Sequence, residues 1–414
     1  MQRLGGVVIL MQQSINKKVL DNISYLVGSA ETIEGMSKVA AKEPFDESVV
    51  DFLSNVSKRL MRSSEAQVYP DIITLGFWMR KTSIIKLRDR FSCDDSNLHL
   101  GRGIVLHIAP SNVPVNYAYS LVSGLLTGNA NIVRIPSKDF PQVEIINRAI
   151  KETLEEFVEM KAYICLVRYD RDQKVNDFLS AIADVRIIWG GDATIEEIRK
   201  SPLSSRAGEV TFADRYSLAV IDSDKYIEIE NKAKVAEDFY NDTYLTDQNA
   251  CTSPRIVVWT GSCITKAKDL FWIHLHEVVL KKYTFQPIQG INKITSAYLM
   301  AVHADKVKIK QNGDNLIVRV QITEIIDDLM DMKDNSGYFF EYDCHEILEL
   351  YNLCNDKKCQ TIGYIGDKDM FIPLIKSGIK GIDRIVPVGQ TMDFDLIWDG
   401  YNLSERLTRT ISIL

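Results

Sequence analysis

The sequence predicts an α/β protein with two parallel-sheet domains behind a mainly helical N-terminal region. From Gly103 onward, short β-rich runs alternate with amphipathic stretches, the pattern of βαβ units and a parallel sheet. A second set of such runs follows Trp259, so a second sheet is expected. The first ~90 residues instead space their apolar side chains at helical intervals. At 414 residues the chain is also too long for one small core.

The elements follow in order. Val19, Ile23, Leu26 and Val27, then Val49, Phe52, Leu53, Val56 and Leu60, give residues 11–90 a helical period. Strands are expected at Gly103–Ala109, Asn131–Ile135, Ala162–Val167 and Val185–Trp189. Helices at Tyr117–Leu126, Val143–Met160, Asp172–Ala183 and from Ala193 separate them, giving two mononucleotide-type halves. Tyr216–Ile221 reads as a further buried strand, followed by a helix over Asn231–Tyr244. Gln248–Trp259 sets a cysteine in a polar loop that leads into a β-rich run. A helix over Ile264–Lys281 and strands at Gly337–Tyr342, Thr361–Ile365 and Arg384–Val388 form the second set, and Arg406–Leu414 is a short β-like tail. The boundaries expected are 1–95 mainly helical, 96–235 and 236–384 the two α/β domains, the second carrying the cysteine, and 385–414 a returning tail. No 20 to 50 residue repeat is visible, so solenoids and propellers are excluded.

Composition narrows the function. Hydrophobic residues at 46% and charged residues at 25% are globular values. With 49 Lys plus Arg against 56 Asp plus Glu, the net charge of -7 gives no bulk attraction to nucleic acid or anionic lipid. Apolar stretches such as Gly5–Met11 and Ile104–Ala109 fall short of the ~20 residues that span a bilayer. Met1–Met11 shows no cleavage pattern of a secretory signal, so a cytoplasmic location is expected. Cys93, Cys165, Cys251, Cys263, Cys344, Cys354 and Cys359 are odd in number and irregularly spaced, which predicts thiols rather than a disulfide framework. No metal site is expected. His274 and His276 stand two apart on a helix and cannot share a face, and Cys354, Cys359 and His345 lack a second cysteine pair.

Four segments can carry chemistry. Cys251 sits between a helix and a strand among Asn249, Thr252 and Ser253, where exposure and nearby N–H groups favour a thiolate over the inert buried thiol that a lone cysteine more often is. Asn112, in Pro110-Ser-Asn-Val-Pro114, follows the carboxyl end of a strand, where open sheets bind ligands; the alternative is a helix cap or turn residue. Arg134, Ser137 and Lys138 cluster after the next strand as a cradle for a cofactor ribose and 2′-phosphate, or as solvated charges. Gly190, Gly191 and Asp192 join a strand to a helix whose first N–H groups could face a pyrophosphate, unless Asp192 only caps it. Neither a Gly-x-Gly-x-x-Gly fingerprint nor a Walker A motif occurs.

The motifs Ile-Ala-Pro-Ser-Asn-Val-Pro, Gln-Asn-Ala-Cys-Thr-Ser-Pro-Arg, Asp-Arg-Ile-Val-Pro-Val-Gly and Trp-Asp-Gly-Tyr-Asn-Leu together resemble the LuxC-like acyl-CoA reductase (long-chain fatty acid reductase) family of the aldehyde dehydrogenase superfamily. The likeness covers residues 95 to 414, and the region before it matches loosely. It implies an aldehyde dehydrogenase-like fold of two Rossmann-like domains, a catalytic Cys251 and an oxyanion-binding Asn112. Arg134 replaces the family's ribose-binding lysine, and Lys138 stands where an acid usually grips the 2′-hydroxyl of NAD, which points to NADPH. Aldehyde-oxidising relatives carry a general-base Glu where this chain has Thr211-Phe-Ala-Asp214; Glu209, two residues earlier, is a weak substitute.

The expected function is therefore NADPH-dependent reduction of a fatty acyl-CoA or acyl-protein thioester to an aldehyde, through a Cys251 acyl-enzyme and a thiohemiacetal. The resemblance also implies an acyl-protein synthetase partner and a homo-oligomer. The alternatives are an NAD(P)-dependent aldehyde dehydrogenase and a non-catalytic subunit that carries an acyl group or docks an acyl-activating partner.

Overall fold

The computed structural model describes residues 18–91 and 97–413, so the expectations for Met1–Met11 and Cys93 lie outside the described residues. The chain forms two compact units: it leaves the first after Ala213, builds the second over Asp214–Asp393, and returns to the first at Phe394.

The first unit contains β1 (Ser24–Val27), β2 (Asn97–Gly101), β3 (Ile104–Ile108), β4 (Ala130–Arg134), β5 (Ile164–Arg168), β6 (Val185–Trp189) and β7 (Gly208–Phe212). Its sheet has the order β1-β5-β4-β3-β6-β7, with β3 to β7 parallel and β1 antiparallel to β5. Helices Asn116–Leu126, Pro141–Glu156, Gln173–Ile182 and Asp192–Arg199 make the crossovers. Every residue of β3 and β6 is buried, which is why both read as near-continuous apolar runs. The chain winds from β3 through β4 to β5, then returns to lay β6 on the other side of β3. That reversal is a topological switch point, and ligands bind at the carboxyl ends of the strands that flank it.

A buried polar chain locks the helix after β3 onto these strands. Trp189 Nε1 donates to Ser120 Oγ at 3.0 Å, which in turn meets His107 Nδ1 at 2.7 Å. His107 Nε2 lies 3.0 Å from Asn131 Oδ1, which can only accept, so Nε2 carries the proton and the Ser120 hydroxyl donates to Nδ1. Burial pushes the imidazole down to about 4, so it is neutral at pH 7.

The N-terminal region folds as helices Ala30–Met36, Glu47–Arg62, Pro70–Trp78 and Lys81–Phe91, as its period predicted, but it belongs to the first unit. Glu47–Arg62 buries Val49, Phe52, Leu53, Val56 and Leu60 and packs on Pro141–Glu156. Leu26 and Val27, expected to be helical, lie in β1 instead. Four residues are too few to set a 3.6-residue period against a two-residue one, and pairing along the open side of β5 decides the outcome.

The second unit contains β8 (Tyr216–Asp222), β9 (Pro254–Thr260), β10 (Lys308–Gln311), β11 (Val318–Ile322), β12 (Tyr338–Asp343), β13 (Cys359–Ile365) and β14 (Arg384–Pro387). The order is β10-β11-β12-β9-β8-β13-β14, all parallel except β10. Ala297 and Met300 of helix Pro287–His303 join one of its apolar layers. Phe239 of Lys232–Thr243 and Phe271 and Leu275 of Ile264–Lys282 join the other.

The domain limits drawn from sequence are corrected here. β8, expected within 96–235, lies near the middle of the second sheet, and β14, cut by the limit at 384, pairs with β13 in that same sheet. Only Ala213–Arg215 separate β7 from β8, and no linker-like composition marks the crossing. The returning segment carries β15 (Ile397–Trp398), β16 (Tyr401–Asn402) and β17 (Thr408–Ser412), and β17 pairs antiparallel with β2 from Thr408↔Gly101 to Ser412↔Asn97. Among the described residues no helix is long and apolar enough to cross a membrane.

Candidate active site

The carboxyl edge of the first sheet gathers the sequence-predicted residues of that unit. Asn112 lies exposed in the loop after β3, Arg134 ends β4 with Ser137 and Lys138 just beyond it, and Gly190 and Gly191 follow β6. Asn112 does not cap the next helix, whose N-cap is Val115. Asp192 is not a cap either: Gly191 holds that position without a side-chain bond, and Asp192 is the first helical residue, exposed, where its charge suits the helix dipole. A carboxylate there suits a hydroxyl better than a phosphate. A Cβ built on Gly191 would meet nothing within 4 Å, so open space lies beside these amides.

Cationic side chains gather near the carboxyl ends of β4 and β5. Arg134 donates to the Tyr169 carbonyl at 3.3 Å and lies 4.7 Å from the Tyr169 ring centroid, while Lys138 Nζ stands 4.8 Å from the ring centroid of Phe140. Arg168, at the end of β5, was not anticipated. It donates to Asp139 Oδ1 at 2.9 Å and keeps a buried Nε without a hydrogen-bond partner. Asp139 is thus turned to Arg168, and among the described residues neither Arg134 nor Lys138 makes an ion pair.

Cys251 stands in the second unit, half-buried, at the amino end of β9. The chain reaches it through Asp247 (φ 52°) and Gln248 (φ 57°), two successive non-glycine residues in the left-handed region. Each such residue costs about 1 to 3 kcal/mol, so the surroundings must over-determine the turn. The buried Gln248 amide does so. Its Nε2 donates to the carbonyls of Pro254 (3.1 Å) and Tyr338 (3.2 Å), and its Oε1 accepts from the amides of Gly337 (2.7 Å) and Tyr338 (3.1 Å). Gly337 itself has φ +93°, and a Cβ there would lie 2.2 Å from the Tyr244 hydroxyl. Ser217 Oγ donates to the Cys251 carbonyl at 2.7 Å, and the Thr252 hydroxyl meets Met392 Sδ at 3.1 Å.

Arg255, four residues on, is buried and donates to the carbonyls of Gln248 and Asp334 and to Asn335 Oδ1; Asn335 Nδ2 donates to Asn249 Oδ1 at 2.8 Å. Desolvation pushes its guanidinium down to about 10, against the attraction of Cys251, Asp214 and Asp334. Sequence reasoning passed over Ser217, Gln248, Arg255 and Asn335. Gln248 and Arg255 lie inside a motif already in view; Asn335 is distant along the chain and carries no local signal.

Glu209 is engaged elsewhere. Its Oε2 accepts from Arg186 Nε at 2.9 Å and Nη2 at 2.5 Å, and its Oε1 from Arg199 Nε at 2.7 Å. Both oxygens of Glu209 are thus taken up by guanidinium donors of Arg186 and Arg199.

The fold defines the chain as aldehyde dehydrogenase-like. Betaine aldehyde dehydrogenase from Staphylococcus aureus superposes with a TM-score of 0.63 at 14% identity, covering 92% of this chain and 84% of that one. The aldehyde dehydrogenase KauB from Pseudomonas aeruginosa gives 0.63 at 14% identity, covering 97% and 88%. Residues 82–271 match the acyl-CoA reductase (LuxC) family. The long-chain acyl-protein thioester reductase of Aliivibrio fischeri is 26% identical over 162 residues, 39% of this chain and 32% of that protein. Long-chain acyl-protein thioester reductase 2 of Photobacterium leiognathi is 26% identical over 185 residues, 44% and 36%. The chain thus spans about one third of the length of the curated relatives it matches.

Proposed function

We propose that the protein reduces an acyl thioester to an aldehyde with NADPH, using Cys251 as nucleophile. The observation that carries this reading is that the LuxC match, residues 82–271, takes in both the Asn112 loop and the Cys251 loop. The Cys251 thiolate attacks the acyl carbonyl, forming a carbon–sulfur bond and an oxyanion. Asn112 is assigned as a donor to that oxyanion, a contact worth ~3 to 4 kcal/mol. Collapse expels the carrier thiolate and leaves a thioester on Cys251. Arg134, Ser137 and Lys138 would hold NADPH, with the Gly190–Gly191 turn facing its pyrophosphate, and the bound cofactor would supply the hydride. Cys251 would then carry a thiohemiacetal oxyanion, whose collapse breaks the carbon–sulfur bond, returns the bonding pair to the Cys251 thiolate and releases the aldehyde. The relatives' names favour an acyl-protein as carrier, with acyl-CoA as the alternative. An acyl-protein synthetase partner, a homo-oligomer and a cytoplasmic location belong to the same proposal.

The test has two arms. NADPH absorbance is followed across acyl-CoA chain lengths, and a substrate-dependent decrease is expected. Peptide mapping after incubation with acyl-CoA alone should place the acyl group on Cys251 and on no other of the seven cysteines. Label on another cysteine, or undiminished label in Cys251→Ala, overturns the assignment.

A further inference from the structure

Arg255 is 6% exposed, and each of its hydrogen-bond acceptors is neutral: the carbonyls of Gln248 and Asp334 and the Asn335 side-chain oxygen. Among the described residues it makes no ion pair. The nearby carboxylates are spoken for. Asp334 turns its oxygens to the Asn335 amide (2.7 Å) and the Ser296 hydroxyl (2.7 Å), and Asp214 lies 3.9 Å from Lys333 Nζ. A guanidinium taken out of water without a bonded carboxylate is costly, and it favours any anion that forms beside it.

The anion that can form is the Cys251 sulfur, four residues before Arg255 on the loop that the guanidinium ties down. The same guanidinium fixes where that sulfur stands. It grips the Gln248 carbonyl ahead of the cysteine, and through Asn335 it holds Asn249 as well. A thiolate beside a fixed cation ionises more readily, and a thiol's attack rate follows its thiolate fraction.

We propose that Arg255 is the positioning residue of the nucleophile: it ties the Gln248–Cys251 loop in place and gives the Cys251 thiolate its counter-charge. This rests on Cys251 being the nucleophile, and the experiment separates the two ideas. The rate of iodoacetamide alkylation of Cys251 is measured by mass spectrometry from pH 5 to 10 in the full chain, without substrate or cofactor. Arg255→Gln should raise the midpoint by about one pH unit, making alkylation at pH 7 roughly tenfold slower. Arg255→Lys, which keeps the charge, should restore most of the shift. Asn335→Asp keeps the guanidinium but sets a carboxylate on it, and should also raise the midpoint; it serves if Arg255→Gln fails to fold. An unchanged midpoint in Asn335→Asp, or in a folded Arg255→Gln, overturns the proposal. If the midpoint shifts while Cys251→Ser still reduces substrate, the charge pairing stands and the catalytic reading of Cys251 falls.

Discussion

Gln248→Met keeps the length of the side chain and deletes its amide, so it isolates what that amide does for the Cys251 loop. Four hydrogen bonds are lost, leaving the amides of Gly337 and Tyr338 and the carbonyls of Pro254 and Tyr338 without those partners in a buried setting. An orphaned buried group costs ~1 to 3 kcal/mol, and the left-handed turn at Asp247 and Gln248 loses its restraint. A local loss of about 4 kcal/mol is expected, and at ~1.4 kcal/mol per decade this is roughly a thousandfold faster opening. Native-state hydrogen exchange, read by mass spectrometry on peptides covering residues 334–343, measures it, with a peptide over β3 as reference. Acceleration below tenfold at Gly337 and Tyr338, or an equal acceleration in β3, refutes the reasoning.

Lys138→Glu should weaken NADPH binding at least tenfold while changing NADH little, because only the 2′-phosphate distinguishes the two; equal losses by fluorescence titration would show that Lys138 does not read that group. His107, folded at about 4 against the ordinary 6.5, resists the proton that the unfolded chain accepts between those values. Its stabilising contribution is therefore complete above about pH 6.5 and lost as pH falls toward 4, and His107→Phe should flatten that part of the pH–stability profile in thermal scans; an unchanged slope would remove His107 as its source. Glu209→Gln should leave hydrolysis of a trapped acyl-enzyme unchanged while lowering thermal stability, since the buried Arg186 loses its counter-ion. A fall in free-acid release would instead identify Glu209 as a base.

The parallel strands β3 to β6 were legible because their residues are buried on both faces and flanked by amphipathic helices, so composition and period agreed. Asn112, Cys251, Arg134 and Lys138 could be picked out as candidates because each sits near where a strand begins or ends. Less was visible wherever the deciding partner is remote in sequence. β1 depends on the side of β5, and β8, itself expected as a strand, is assigned to the second sheet only by its pairing with β9 and β13. Helix Pro287–His303, β10 and β11 went unremarked: that helix leaves Ile288, Ile291, Leu299 and Val302 exposed, and β10 is short and polar. Arg255, Asn335 and Arg168 matter through hydrogen bonds and burial, and no local pattern announces either.

The first unit is completed only by the end of the chain. β2 has its ladder partner in β17, and the buried Asn129 amide donates to the Leu407 carbonyl at 3.0 Å. On the ribosome the second unit is contiguous and can close as soon as its last strand emerges, whereas β2 waits for about 300 further residues. At ~5 to 20 residues per second that is roughly fifteen seconds to a minute. Through this interval the nascent first unit carries an unpaired β2 edge and lacks the Asn129–Leu407 bond, and unpaired strand edges find wrong partners. A chaperone that holds nascent chains would therefore have its target in β2 until β17 is in place.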